Sequence, residues 1–175
     1  EKIAEFSKRV LGLDLTDRIK VGGKKYTGAP LIFFSSDPRD HHQFALTAGR
    51  TADRDAVLLH QVSFRHDSLD RLRYLAATVE EEGNDRVEPV DHGTHWSIYF
   101  HDPEGNRIEA FVDTPWYVEP HYHPMDLSIS NDEIAAATLA RIKDRPGFKP
   151  LAEWREDLAR QCGLEEEKEL EEPVA

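Results

Sequence analysis

Apolar positions along this chain follow two periodicities, and the switches between them mark out its elements. Ile3, Phe6, Val10 and Leu11 recur at helical spacing ahead of Gly12, which predicts an amphipathic helix over 2–11. Leu13 to Ile19 predicts a short strand followed by a Gly22-Gly23 turn. Ala29 to Ser36 and His42 to Thr47 predict two further strands, joined by the polar loop Asp37-Pro38-Arg39-Asp40. After a polar connection over 48–55, Val57 to Phe64 alternates most strongly. Leu58, His60, Val62 and Phe64 fall on one face, taken as the inward one, and Leu59, Gln61 and Ser63 on the other. Helical spacing returns with Leu69, Leu72, Leu75, Ala76 and Val79. With Asp67 or Ser68 as N-cap and Gly83 just past the end, a helix is predicted over 69–82. Arg86 to Asp91 predicts another strand.

The next stretch constrains itself. Asp102-Pro103-Glu104-Gly105-Asn106 is a turn cluster, because proline presets φ and glycine accepts positive φ, so its flanks are predicted to form a hairpin. If the loop is those five residues, His101 faces Arg107. Tyr99 then lies directly opposite Glu109, a phenol beside a carboxylate on one sheet face.

The element order is helix and three strands, then strand, helix and three strands. It predicts an α+β fold of paired βαβββ modules whose first strand is missing from this sequence. Past Pro115 the pattern changes. Asp113 to Pro124 is rich in proline and aromatics and is predicted to pack as an extended strap, and 131–143 and 151–162 read as two surface helices parted by Pro146-Gly147. The expected division is a module pair over 1–118 and a strap with helices and an acidic tail over 119–175. The first helix begins without a visible cap, which suggests that a segment precedes Glu1.

Composition narrows the partners. A net charge of −12 and 39% hydrophobic residues fit a soluble globular chain. Much of the negative charge lies in Glu165 to Glu172, a run of the kind usually solvated. No clustered Lys/Arg face offers itself to nucleic acid, and no apolar run approaches the roughly 20 residues of a membrane span. Cys162 is the sole cysteine, which excludes an internal disulfide and fits a reducing cytoplasm.

Nine histidines are many for 175 residues, and each has a bland reading. A strand histidine such as His60 is more often a hydrogen-bonded core residue than a ligand. His42, alternating with Phe44 and Leu46, reads as structural by the same reasoning. His41, His66 and His101 read as surface residues, and His121-x-His123 is a weak metal pair in a proline-flanked loop. Glu109 alone reads as a solvated charge. The combination changes these odds, since an imidazole and a carboxylate on neighbouring strands are two thirds of the two-histidine, one-carboxylate face that holds non-haem Fe(II).

The stretch Val90-x-His92, five residues, Ile98-Tyr99, two residues, Asp102-Pro103-x-Gly105, three residues, Glu109 resembles the signature of type I extradiol ring-cleaving dioxygenases. These belong to the vicinal oxygen chelate superfamily of paired βαβββ modules. The similarity extends to 58–64 (LLHQVSF), 40–46 (DHHQFAL) and 10–13 (VLGL), covers roughly 1–118, and is strongest to catechol 2,3-dioxygenase-like enzymes. The resemblance implies Fe(II), with Mn(II) suited to the same ligands, and a catechol-type diol cleaved with O2. It implies His60 and Glu109 as metal ligands and His42 as the acid/base near dioxygen. Tyr99 would lie beside the substrate hydroxyl, and His92 would bind or deprotonate substrate. His95 falls outside the aligned positions. The family's first metal histidine would lie before Glu1, so the sequence supplies two of three ligands, and many relatives carry a further, inactive module pair ahead of the catalytic one. Homo-oligomers are expected because such modules commonly associate.

Two other readings share the fold. A glyoxalase- or epimerase-type metal enzyme has no use for His42, His92 and Tyr99 together. A non-catalytic ligand-binding module lacks the ligands His60 and Glu109. Trp116 and Tyr117 either close over an aromatic ligand or pack, packing being the commoner use.

Overall fold

The computed structural model describes residues 2–20, 30–37, 41–47, 60–83 and 86–162. The predicted turn at Gly22-Gly23, the connection over 48–55, the start of the strand predicted from Val57 and the acidic run from Glu165 lie outside the described residues.

The order of elements follows the periodicities. Helix α1 (Lys2–Arg9) is followed by β1 (Asp14–Lys20), β2 (Pro30–Ser35) and β3 (Phe44–Thr47). Strand β4 (Val62–Arg65), helix α2 (Leu69–Glu81) and strands β5 (Glu88–Asp91), β6 (His95–His101) and β7 (Arg107–Asp113) come next. Short strands β8 (Trp116–Tyr117) and β9 (His123–Pro124) carry the strap, ahead of α3 (Asn131–Ile142), β10 (Lys149–Pro150) and α4 (Leu151–Cys162). This is the expected α+β arrangement: αβββ, then βαβββ, then a helical extension. Among the described residues no helix is long and apolar enough to cross a membrane.

Two compact units can be traced. The first comprises 1–64, 74–87 and 99–109. In it β1, β2 and β3 form an antiparallel sheet in that order, with Ile32 opposite Arg18 and Leu46, and a register shift between Leu15 and Asp17. One face of that sheet is apolar: Leu13, Ile32 and Phe34 are buried, packed by Ala4, Leu11, Phe44, Leu46 and Phe64. Beyond the end of helix α1, Gly12 takes a φ of 69°, the left-handed conformation glycine tolerates, and the Phe6 ring of the helix lies 6.4 Å from that of Phe100.

The second unit comprises 65–73, 88–98 and 110–175. Its strap is sewn down at both ends. β9 pairs antiparallel with β5, His123 opposite Asp91, and β10 pairs with β8, Lys149 opposite Tyr117. Helix α3 opens on a capping box in which the Ser130 hydroxyl accepts from the Glu133 amide and the Glu133 carboxylate accepts from the Ser130 amide. Arg73 fixes the approach to that helix by donating to the carbonyls of Leu127 and Ile129 at 2.7 and 2.6 Å.

The longer sheet has the strand order β4-β7-β6-β5-β9. In β6 the run Trp96 to Phe100 is buried at every position, so that strand is covered on both faces. Helix α2 matches the predicted span. Its stripe Leu69, Leu72, Leu75 and Val79 is buried, each side chain contributing about 1.5–3 kcal/mol. The Ser68 hydroxyl accepts from the Arg71 amide at its start, and Gly83, with φ of 75°, ends it.

Polar groups, too, are buried in the second unit. Asp91 accepts from the Gly93 amide at 2.8 Å, from the Thr138 hydroxyl at 2.8 Å and from Arg141. Thr138 in turn accepts from the Trp96 indole at 2.9 Å. One fully buried hydroxyl therefore joins α3, β6 and the end of β5, and removing it leaves both a donor and a charge short of partners. Thr138→Val keeps the shape and is expected to lower unfolding free energy by about 2 kcal/mol. Urea denaturation measures this, and a change within experimental error would show that the network contributes little.

Candidate metal and substrate site

The site grows from two short turns. The hairpin turn after β6 is held by Asp102, whose carboxylate accepts from the amides of Glu104 and Asn106 at 2.9 and 2.8 Å and from the Asn106 side chain at 2.7 Å. Gly105 takes φ of 83°, as the turn cluster predicted. The register that follows brings Tyr99 to Glu109: the phenol donates to Glu109 Oε1 at 2.6 Å. The other oxygen, Oε2, accepts from Gln61 Nε2 at 2.8 Å and Ser63 Oγ at 2.6 Å. Glu109 is buried, 4% exposed, with three donors converging on it. That is the hydrogen-bonding pattern an ionised carboxylate satisfies, since it is acceptor-only. The Arg107 guanidinium lies over the Tyr99 ring, 4.2 Å from its centre.

The second turn joins β5 to β6 through Gly93-Thr94. Gly93 has φ of 82°, and the His92 amide donates to the His95 carbonyl at 3.0 Å, so the two histidines flank a tight loop. Their rings lie 4.6 Å apart, centre to centre. Thr114 clamps the loop from the strap side: its hydroxyl donates to the Gly93 carbonyl at 2.7 Å and its amide to that of Thr94 at 2.9 Å.

Each imidazole is oriented by its Nδ1. His92 Nδ1 lies 2.7 Å from the His121 carbonyl oxygen. A carbonyl only accepts, so Nδ1 carries the proton and Nε2 the lone pair. His95 Nδ1 lies 2.8 Å from the Thr94 hydroxyl. Partners of this kind on the far nitrogen fix the orientation of metal-binding histidines. One ligand atom each from His92, His95 and Glu109 lies within 4.8 Å of the other two. Two imidazoles and a buried carboxylate form a donor set suited to a divalent transition metal.

The residues singled out in the sequence are placed as follows. His60 is exposed, in a bend ahead of β4, which begins at Val62, and it is Gln61 and Ser63 that reach Glu109. His42 is exposed just before β3, its Nδ1 2.9 Å from that of His41 and its ring 4.9 Å from Phe33. His92 and Glu109 each offer a ligand atom to one group together with His95, which the sequence pattern left open, and Tyr99 donates to Glu109. The H-G-T-H spacing was the available signal, because a glycine-containing turn of two residues sets its flanking side chains side by side.

Across the loop, the His121 ring packs against Gly93 with both its nitrogens buried. Burial, then the nearby Arg145, pushes its pKa below the usual histidine value, with Asp91 opposing.

The model of the Glyoxalase/Bleomycin resistance protein/Dioxygenase superfamily matches residues 1–110, and the chain belongs to that family. Among curated proteins it is 27% identical over 121 residues to biphenyl-2,3-diol 1,2-dioxygenase 2 of Rhodococcus globerulus, covering 62% of this chain and 63% of that protein. It is 28% identical over 131 residues to biphenyl-2,3-diol 1,2-dioxygenase 3 of the same organism, covering 70% and 63%. The chain thus spans 63% of the length of these relatives. A solved glyoxylase/bleomycin resistance protein/dioxygenase domain from Frankia sp. EAN1pec superposes with a TM-score of 0.49 at 16% identity, covering 65% of this chain and 82% of that one.

The turn bearing both histidines makes a stability test. A Cβ on Gly93 would meet His121 Cε1 and Val118 Cγ1 at 2.7 Å, whereas one on Gly83 would meet nothing within 4 Å. Both glycines have positive φ, so Gly83→Ala reports the backbone term alone, about 1–2 kcal/mol. Gly93→Ala should cost about 1–3 kcal/mol more, from overpacking against the strap. Equal losses in urea melts would mean that the strap gives way freely.

Proposed function

We propose that this chain carries the catalytic site of a metal-dependent extradiol dioxygenase that opens the ring of a catechol-type diol with O2. The observation that carries the proposal is the grouping of His92, His95 and Glu109, a two-histidine, one-carboxylate donor set on the hairpin where the dioxygenase signature lies. Family membership and the names of the two Rhodococcus relatives support it. Fe(II) is the metal proposed, with Mn(II) suited to the same donors. When bound, the metal would supply a Lewis acid that lowers the pKa of a substrate hydroxyl and an open position for dioxygen.

The chain's own groups have assignable tasks. His92 and His95 would present imidazole nitrogens to the metal, the former through Nε2 because Nδ1 donates to the His121 carbonyl. Glu109 would offer a carboxylate whose rotamer is held by Tyr99, Gln61 and Ser63. A bond from Tyr99 to a ligand carboxylate tunes that carboxylate and holds a phenolic proton next to the position proposed for the diol. His42 is proposed as the acid/base of the later proton transfer, since an imidazole gives and takes a proton near neutrality.

This reading differs from the family pattern at both histidine ligands, His92 and His95 standing in place of His60 and the histidine expected before Glu1, and the difference is measurable. Calorimetric titration of metal-free protein with Fe(II) under nitrogen, or with Mn(II), should show Glu109→Gln and His95→Ala weakening binding by about tenfold or more. His60→Ala should leave it within about twofold. Loss on His60→Ala with none on His95→Ala would return the metal to His60 and Glu109. Iron-loaded protein given catechol in air should consume O2 and turn yellow. Absence of both changes with stoichiometric iron bound would overturn the dioxygenase reading.

A further inference from the structure

The second unit contains a cavity of about 310 Å³ with His95 on its wall. Thr94, Tyr117, Pro120, Leu151 and Trp154 make up most of the rest, and three charged side chains complete it: Arg65, Asp113 and Arg155. The family match ends at residue 110, so most of this wall comes from chain outside it.

Two observations describe what the cavity would hold. The first is its aromatic side. Tyr117 and Trp154 stack with ring centres 4.8 Å apart and planes within 9°, fixed by the pairing of β8 with β10 and by α4. Stacked on each other, the two rings leave only their edges and outer faces to a guest, and such flat, rigid surfaces favour a flat apolar one. An apolar cavity of about 150 Å³ is known to accept benzene, so this one has room for a ring with substituents.

The second is the charge. Arg155 Nη2 lies 2.7 Å from Asp113 Oδ2, and Arg65 Nε lies 3.5 Å from the same oxygen. Two guanidinium groups thus share one carboxylate, leaving a positive charge and several N–H donors over. Arg65 is further held over the Phe111 ring, 5.7 Å from its centre. In a chain of net charge −12 a cavity wall with a cationic surplus is out of character for the surface at large. It suits a planar anion, because guanidinium matches carboxylate through paired N–H donors.

We infer that this cavity selects aromatic substrates bearing a carboxylate, the ring lying along Tyr117 and Trp154 and the carboxylate meeting Arg155 and Arg65. The inference rests on the proposed dioxygenase reading for its link to turnover: His95 is shared by the cavity and the proposed metal site, so the diol of a seated ring would face His95.

Binding is tested without chemistry by calorimetric titration of the metal-free chain with benzoate and with benzamide, its neutral isostere. Benzoate should bind at least about tenfold tighter, and Arg155→Gln should bring the two within about threefold. Asp113→Asn removes the competing carboxylate and should tighten benzoate several-fold, a gain that misfolding cannot produce. Equal affinity for the two probes, a preference that survives Arg155→Gln, or no tightening in Asp113→Asn would each overturn the inference. Turnover separates it from the reading it rests on. Iron-loaded protein should cleave 3,4-dihydroxybenzoate with a higher kcat/KM than catechol. Cleavage of both diols with no preference sinks the carboxylate site alone. Benzoate preference without cleavage of either diol sinks the dioxygenase reading and leaves the anion site standing.

Discussion

A buried carboxylate is the constraint around which the central sheet is organised. Removing Glu109 from water costs several kcal/mol unless its oxygens are satisfied, and no single neighbour satisfies them. Tyr99 comes from β6, whereas Ser63 comes from β4 and Gln61 from just ahead of it. The sheet order places β7 between those two strands, the one position from which Glu109 is served from both sides. Strand order and charge compensation are therefore one requirement. A hydrophobic residue at 109 would stabilise the sheet with less difficulty, so keeping an acid there makes sense when the acid has work to do.

The histidine turn shows the same economy of means. Asp91 accepts from the Gly93 amide and from α3 groups, Thr114 donates to two carbonyls of the loop, and the His121 carbonyl sets the tautomer of His92. None of these groups belongs to the proposed donor set, yet together they leave the two imidazoles little freedom. A metal centre built on so short a loop depends on such surroundings, because a ligand that must be ordered on binding loses affinity to the entropy of ordering.

Much of this was legible in the amino-acid order, for reasons of local chemistry. Proline and glycine at 103 and 105 define the hairpin loop, and a known loop length fixes which residues oppose each other. The meeting of Tyr99 and Glu109 followed by counting. Helix α2 declared itself through a complete apolar stripe between a hydroxyl cap and Gly83. The strand predicted from Val57 was harder to bound. In the described part it begins at Val62, leaving His60 exposed in a bend where alternation alone had put it inside. The role of His95 stayed open for a different reason: its approach to His92 depends on a backbone reversal at Gly93, not on strand alternation. The sharing of Asp113 by Arg65 and Arg155 was beyond any local pattern, since it joins residues far apart in the chain.

Most of the wall of the aromatic cavity lies outside the stretch that carries the proposed metal donors, His95 being common to both. Glu109, Tyr99, His92 and His95 lie within the segment shared with the family, whereas Asp113, Tyr117, Trp154 and Arg155 follow it. On the proposed reading, reactivity and most of the selectivity are written in separate parts of one gene. Drift or recombination in the later part can try new ring substituents while the earlier part stays fixed. A laboratory library confined to residues after 110 would sample guests with no change to a single donor atom.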